Sequence, residues 1–290
     1  MIDQIHDDTT IVYFVSPDGV VLHLSGGAGA GAQGFVLGEG PEGLGHVEAA
    51  AIFDKSARQI GEEYVDSNFD HGELDLPIYV FGNTVEEFHR RRDWLRTLLP
   101  RRRQGWIVVG TSLGLRWIAV RRGSIKPAYG SDPAADKGAA FNVLLYADHP
   151  MARAADDTTP EWRNPTGATK ASGSMALYPG PEVAGWPKFA FTGPGVLQLI
   201  YTGEAGATDL TFPELKAGET LMVDTEYGMQ ELEARDAKGA RRNLWPLMKL
   251  ARSPSPIPAG EVTIVRFSIS KASAKTKLWG TVPQFQEGLL

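Results

Sequence analysis

Residues Leu74 to Pro100 read LDLPIYVFGNTVEEFHRRRDWLRTLLP, and the two halves of this stretch carry different periods. In the first half, Leu74, Leu76, Ile78 and Val80 alternate with Asp75, Pro77, Tyr79 and Phe81. A period of two places the aliphatic set on one face of a strand. Pro77 has no N–H to give a ladder, which predicts an edge strand or a bulge. In the second half, Thr84 stands before the run with Glu87 three residues on, the capping-box spacing for a helix that starts at Val85. Phe88, Leu95, Leu98 and Leu99 then share one face, Arg90, Arg91 and Asp93 mostly point away, and Pro100 ends the helix.

Working outward, β-rich runs Ile11–Val15 and Val20–Leu24 flank Ser16-Pro17-Asp18-Gly19, the chemistry of a hairpin turn. The tract Gly26–Gly34 (GGAGAGAQG) reads as a mobile loop. His46–Val65 is open between two conformations. Its alanine-rich start suits a helix, whereas Gly61 and the weak period suit an extended arm or loops. Strands resume at Trp106–Val109, Leu115–Val120 and Phe141–Ala147. The order hairpin, strand, helix and three strands predicts an α+β domain, with one helix on one face of a largely antiparallel sheet. The polar, proline-containing stretch His149–Thr169 marks the boundary. The expected division is a first domain at 1–150, a linker at 151–169 and a second domain at 170–290.

No helix is expected in the second half. Candidate strands are Ser174–Tyr178, Lys188–Thr192, Val196–Tyr201, Asp209–Phe212, Thr220–Asp224, Gln230–Ala234, Leu247–Ala251, Glu261–Ser268 and Lys277–Val282, separated by glycine- and proline-containing turns. Short strands at this spacing predict a two-sheet β-sandwich of the jelly-roll kind.

The composition narrows the chemistry. Of 290 residues, 42% are hydrophobic and 22% charged, values of a globular chain rather than a disordered one. There is no cysteine, which excludes disulfides, thiolate nucleophiles and cysteine-ligated metal. All six histidines lie before residue 150, so the second half cannot assemble a histidine-based triad from its own residues. The net charge of −6 falls entirely in residues 1–150, and opposes wholesale coating of nucleic acid. No apolar stretch is long enough to cross a bilayer, and no signal peptide is expected.

Several motifs match catalytic or binding patterns only in part. Gly110-Thr111-Ser112-Leu113-Gly114 fits a nucleophile elbow, but a strand rather than a helix is expected to follow, so it reads as a hairpin loop. Asp66-Ser67-Asn68-Phe69-Asp70 starts like a calcium loop, then places His71 where glycine is needed and Pro77 where the bidentate glutamate belongs. The Gly26–Gly34 tract lacks the Gly-Lys-Ser/Thr of a phosphate loop. Trp162, Trp186, Trp245 and Trp279 offer sugar platforms or core residues. The arginines Arg90, Arg91, Arg92, Arg96, Arg101, Arg102 and Arg103 crowd the helix; without interleaved aromatics they suit a carboxylate-bearing protein surface better than a nucleic-acid groove. Neither cofactor, metal nor catalytic residue is expected.

The order of elements resembles the distal tail proteins of phages with long non-contractile tails (siphophages), called minor tail proteins in phages of actinobacteria. The resemblance rests on Leu74–Pro100, on Phe141–Pro150 (FNVLLYADHP), and on four segments of the second half. These are Asn164–Gly167 (NPTG), Trp186–Gly195 (WPKFAFTGPG), Gly218–Thr225 (GETLMVDT) and Ile257–Phe267 (IPAGEVTIVRF). It implies a ring-forming first domain, a galectin-like second domain projecting outward, and no catalytic residues. It further implies a head-to-tail homo-oligomeric ring, normally sixfold, at the distal end of the virion tail, assembled in the host cytoplasm. That ring would join the major tail tube protein to the tail-tip hub or baseplate, with the tape measure protein and later DNA passing through its lumen, and without membrane insertion. Arg90, Arg91, Arg96, Arg101, Arg102 and Arg103 are then the candidate inter-subunit contacts. The alternative is a carbohydrate-binding protein whose sandwich grips host glycans, which requires a concave face with an exposed aromatic.

Overall fold

The computed structural model describes residues 10–46, 48–56, 59–226, 231–248 and 254–290. His6, Gln230 and residues 249–251 of the strand expected at Leu247–Ala251 lie outside that set. The chain divides into two compact units. Unit 1 is Met1–Ala154 with Glu287–Leu290, and unit 2 is Ala155–Gln286. The last four residues thus belong to unit 1 rather than to the second domain in which the sequence reading placed them.

Unit 1 contains β1 (Ile11–Val15), β2 (Val21–Ser25), β3 (Phe35–Leu37), β4 (Ala50–Asp54), β5 (Glu63–Asn68), β6 (Gly72–Phe81), α1 (Val85–Leu98), β7 (Gly105–Thr111), β8 (Gly114–Pro127), α2 (Pro133–Asp136), β9 (Gly138–Ala147) and β10 (Ala152–Arg153). The main sheet runs β2-β1-β7-β8-β9-β6-β3 and is antiparallel throughout. Strand β8 makes it curl. Its first half pairs with β7 and its second with β9, and the register shifts between Arg122 and Ser124. A bulge of this kind bends a strand and lets a sheet turn a corner. Gly123 sits in it because a Cβ there would lie 2.6 Å from the Tyr146 ring.

The curl brings β2 and β3, the two ends of the sheet, side by side. Gln33 bridges towards the open edge. Its Oε1 accepts from His23 N–H at 3.0 Å and its Nε2 donates to the Val21 carbonyl at 2.9 Å. The nearly closed sheet holds one apolar core with the inner face of α1, in which Phe88, Leu95, Leu98 and Leu99 are buried beside Phe14, Leu76, Ile107 and Val143. Helix α1 is capped as its sequence requires. Glu87 N–H donates to Thr84 Oγ1 at 3.1 Å, and Glu87 Oε2 accepts from Asn83 N–H at 2.8 Å. Pro77 lies within β6, which pairs with β9 along its length and with β3 only over residues 78–80, so its missing N–H faces the less paired side of that strand.

The Gly26–Gly34 tract is a succession of hydrogen-bonded turns rather than the mobile loop expected. Gly34 explains part of its composition. Its φ is +81°, and a Cβ would come within 2.6 Å of the Phe81 carbonyl.

Unit 2 has β11 (Asp157–Thr158), β12 (Trp162–Arg163), β13 (Lys170–Leu177), β14 (Lys188–Thr192), β15 (Val196–Gly203), β16 (Gly206–Thr211), β17 (Thr220–Asp224), β18 (Glu231–Arg235), β19 (Arg241–Asn243), β20 (Thr263–Ser270) and β21 (Lys277–Val282). One sheet runs β11-β21-β14-β17-β18-β19, with β12 also on β21; the other runs β13-β20-β15-β16. A second apolar core forms from both, centred on Leu177, Phe189, Phe191, Leu197, Leu199, Leu221, Val265 and Leu278. Residues 151–169, read as a linker, instead supply β10, β11 and β12. The strand expected at Leu247–Ala251 begins as a turn of 3-10 helix, Trp245–Leu247.

Candidate functional site

Strands β4 and β5 show residues 50–54 and 63–68 to be extended rather than helical. They form an extended antiparallel pair that is a sheet of its own and, among the described residues, joins no other strand. Every described side chain of β4 is exposed. Ile52 is 48% exposed, Phe53 53%, Tyr64 57% and Val65 59%, and Ile60 at the tip is fully exposed. Phe53 and Tyr64 meet edge to face across the strands, with centroids 6.0 Å apart. A lone hairpin is marginal in water, and a cluster of large apolar side chains on it is the mark of a surface that another chain covers.

The charges on this arm point the same way. The register sets Asp54 opposite Glu63 and Ile52 opposite Asp66. Like charges directly across a ladder repel. Among the described residues the one ion pair of the tip is long, Lys55 to Glu62 at 3.9 Å.

The arginines sort into two groups. Arg91 is used within unit 1: Nη1 donates to the Phe81 carbonyl and Nη2 meets Glu87 Oε1, both at 2.7 Å. Arg103 is used as well, through a two-pronged pair with Asp18 at 2.7 and 2.9 Å. That hydrogen bond holds the Asp18 carboxyl below its ordinary value. Arg96 lies 3.8 Å from Asp93, which it shares with Arg92. Arg90, Arg101 and Arg102 are exposed and have no ion-pair partner among the described residues. Arg122, from β8, joins them; its Nη1 donates to the Arg96 carbonyl at 3.0 Å, at the C-terminal end of α1 where a cation is favoured. Burial, and then the charges of Arg101 and Arg96, push the Arg122 guanidinium below its ordinary value. The sequence showed the cluster but not its division, because Asp18 is 85 residues from Arg103.

The remaining motifs fall in structural places. Thr111 and Gly114 close a tight β7–β8 hairpin around Ser112 and Leu113. Strand, turn and strand replace the strand–turn–helix of a nucleophile elbow. Residues 66–68 are extended in β5, not wrapped as a calcium loop. Among the described residues no group of three potential metal ligands converges, and no helix is long and apolar enough to cross a membrane.

The β13-β20-β15-β16 sheet carries a shallow trough of about 560 Å³ with a mixed polar and apolar lining, its polar side chains being Lys170, Ser172, Gln198, Thr211, Ser268 and Ser270. Ser268 Oγ donates to Gln198 Oε1 at 3.1 Å, and Gln198 Nε2 donates to Asp209 at 2.9 Å. None of its lining residues is an exposed aromatic. Trp162 packs against Phe267 instead, with centroids 5.0 Å apart.

No family model matches the sequence, and no curated protein sequence matches it significantly. Solved structures do. The Dit protein of phage SPP1, described as a paradigm of the hub adsorption apparatus in phages infecting Gram-positive bacteria, superposes with a TM-score of 0.66 at 14% identity, over 96% of this chain and 99% of that one. The fold is shared with phage baseplate proteins. The phage P2 baseplate in its activated conformation matches over the same shares, with a TM-score of 0.54 at 10% identity with Ca, and 0.51 at 11% with Sr. Both units therefore take part in the likeness, not one domain alone.

Proposed function

We propose that the chain is a structural virion protein of a siphophage tail, a distal tail protein that forms a ring between the tail tube and the tail-tip hub. In this reading unit 1, Met1–Ala154 with Glu287–Leu290, is the ring-forming α+β domain, and unit 2, Ala155–Gln286, is a galectin-like sandwich. The ring is a homo-oligomer, normally sixfold, that meets the major tail tube protein on one side and the hub on the other. The tape measure protein and DNA pass through it, assembly takes place in the host cytoplasm, and the host is actinobacterial. It is not an enzyme. Arg90, Arg96, Arg101 and Arg102 supply inter-subunit contacts, whereas Arg91 and Arg103 are already committed within the subunit.

The observation that carries the reading is the β4–β5 arm. A protein that worked as a monomer would have no reason to hold Ile52, Phe53, Ile60, Tyr64 and Val65 in water. The likeness to SPP1 Dit along the whole chain supplies the kind of assembly in which such an arm finds a partner. Replacing residues 49–69 by a short Gly-Ser turn leaves both apolar cores intact, because none of their members lies there. The expected outcome is a folded protein that no longer self-associates in light scattering. Unchanged association of that variant would remove the arm as evidence.

The carbohydrate reading has the hydroxyls and amide of the sandwich trough in its favour, but the trough lacks the aromatic platform that this reading requires.

A further inference from the structure

The ring reading names a surface that needs covering without saying what covers it. The arm's own chemistry restricts the answer. It presents an aromatic pair, Phe53 with Tyr64, next to carboxylates placed across from one another, Asp54 with Glu63. Its partner must offer apolar area and positive charge together. Covering the arm with an apolar surface alone would desolvate those carboxylates unpaired, which is costly.

Unit 1 displays such a surface at the end of α1. Arg101 and Arg102 stand exposed beside Arg96 and Arg122. Trp94, one helical turn from Arg90 on α1, is 36% exposed while its ring packs against Phe35 with centroids 5.6 Å apart. This surface has the opposite fault to the arm. The guanidinium groups of Arg96, Arg101 and Arg122 lie close enough to act on one another: the charged form of Arg122 is disfavoured first by burial and then by Arg101 and Arg96. Across residues 49–69 four carboxylates outnumber two cations, and around the end of α1 the guanidinium groups outnumber Asp93, so each surface carries an excess of the charge the other lacks.

Within one copy they are not joined. The arm is a sheet by itself, and none of Arg90, Arg101 and Arg102 has a carboxylate partner among the described residues. Two complementary patches on one chain, not satisfied by each other, are what a head-to-tail interface requires, and such interfaces close into rings. We infer that the β4–β5 arm of one copy lies across the arginine-rich end of α1 of the next copy, its carboxylates on Arg101 and Arg102 and its aromatic pair against Trp94. This rests on the ring reading and adds the identity of the two surfaces that meet. Nucleic-acid phosphate is the other anion that Arg101 and Arg102 could hold. It leaves the acidic, apolar arm uncovered, so the second copy is the better occupant.

The chain has no cysteine, which makes a clean test possible. Glu63→Cys is prepared in one batch and Arg102→Cys in another, and the two are mixed under mild oxidation. A disulfide between them can only join different copies. Lys238→Cys, at an exposed turn of unit 2, replaces Arg102→Cys as the control. In parallel, Arg101→Glu with Arg102→Glu should weaken self-association at least tenfold, and adding Glu62→Lys with Glu63→Lys should recover most of the loss. All these positions are exposed, so circular dichroism and the melting curve should match the parent.

Cross-linking between positions 63 and 102 but not 63 and 238, together with the charge-swap recovery, is the expected result. If the parent assembles but neither cross-link nor charge dependence appears, the inference is overturned while the ring reading stands. If the parent shows no self-association at any concentration, the ring reading fails and takes the inference with it. If Arg101→Glu with Arg102→Glu abolishes retention by duplex DNA and leaves self-association untouched, the arginine face is a phosphate surface and the inference is wrong.

Discussion

Truncating Leu289 to alanine probes how unit 1 is closed. Leu289 is 2% exposed and sits in the unit 1 core, although it lies more than 130 residues beyond the preceding member of that core, Ala152. Its N–H donates to the Leu44 carbonyl at 3.0 Å, and that of Leu290 to the same oxygen at 3.1 Å. Arg116 Nη1 also holds this segment, donating to the carbonyls of Gly288 at 3.1 Å and Leu290 at 2.9 Å. A backbone pinned by both partners cannot collapse into the space a leucine leaves. Transfer of the side chain is worth about 2 kcal/mol, and the cavity raises the cost of such a truncation to about 3 kcal/mol. Deleting residues 287–290 also withdraws these four hydrogen bonds, each worth about 1 kcal/mol net, and should cost about 7 kcal/mol in all. Against the 5–15 kcal/mol typical of a domain, roughly, deletion leaves unit 1 at the margin of folding. Urea titration followed by hydrogen exchange reads the two units separately. Unit 1 amides should lose protection at lower urea in Leu289→Ala, and be largely unprotected in the deletion, while unit 2 amides keep their midpoint. A unit 1 midpoint shifted by less than about 0.5 kcal/mol, the scatter of ordinary surface changes, would refute the reasoning.

Two further outcomes follow from named groups. Burial pushes the Tyr201 phenol up to about 12, while its hydroxyl donates to the Ser255 carbonyl at 2.9 Å. The unfolded chain releases this proton near the ordinary value of 10.0 and the folded chain does not. Stability is therefore complete below pH 10 and falls as pH rises towards 12, by about 2–3 kcal/mol. Tyr201→Phe, followed by phenolate absorbance and alkaline unfolding, should flatten that fall; an unchanged alkaline limb would show that another group is responsible. Arg103→Ala breaks an exposed pair with Asp18 whose partners are both in water, so the melting temperature and self-association should both match the parent. Loss of association in that variant alone would place the contact surface elsewhere.

The parts that were legible in the sequence are those whose order is local. Thr84 and Glu87 announce α1 because a cap is read over three residues, and β6 shows itself because Leu74, Leu76, Ile78 and Val80 all reach the core. The arm was open between helix and strand for a physical reason. Periodicity records burial within the chain, and no side chain of β4 is buried in its own subunit. Strands β10, β11 and β12 are two residues long, too short to carry a period, so residues 151–169 read as a linker. Nothing in Glu287–Leu290 marks a return to unit 1; its partners Leu44 and Arg116 are chosen by the fold. The same holds for the arginines. Seven in fourteen residues signal a charged surface, but only the fold separates Arg91 and Arg103, which have internal partners, from Arg101 and Arg102, which have none among the described residues.

The central claim is that this chain closes into a ring through surfaces on unit 1. Native mass spectrometry of the purified protein, with negative-stain images of the same sample, tests it most directly. The expected result is a single assembly of about six copies, seen end-on as a ring with an open lumen. A monomer at every concentration, together with images of isolated particles of one chain, would contradict it.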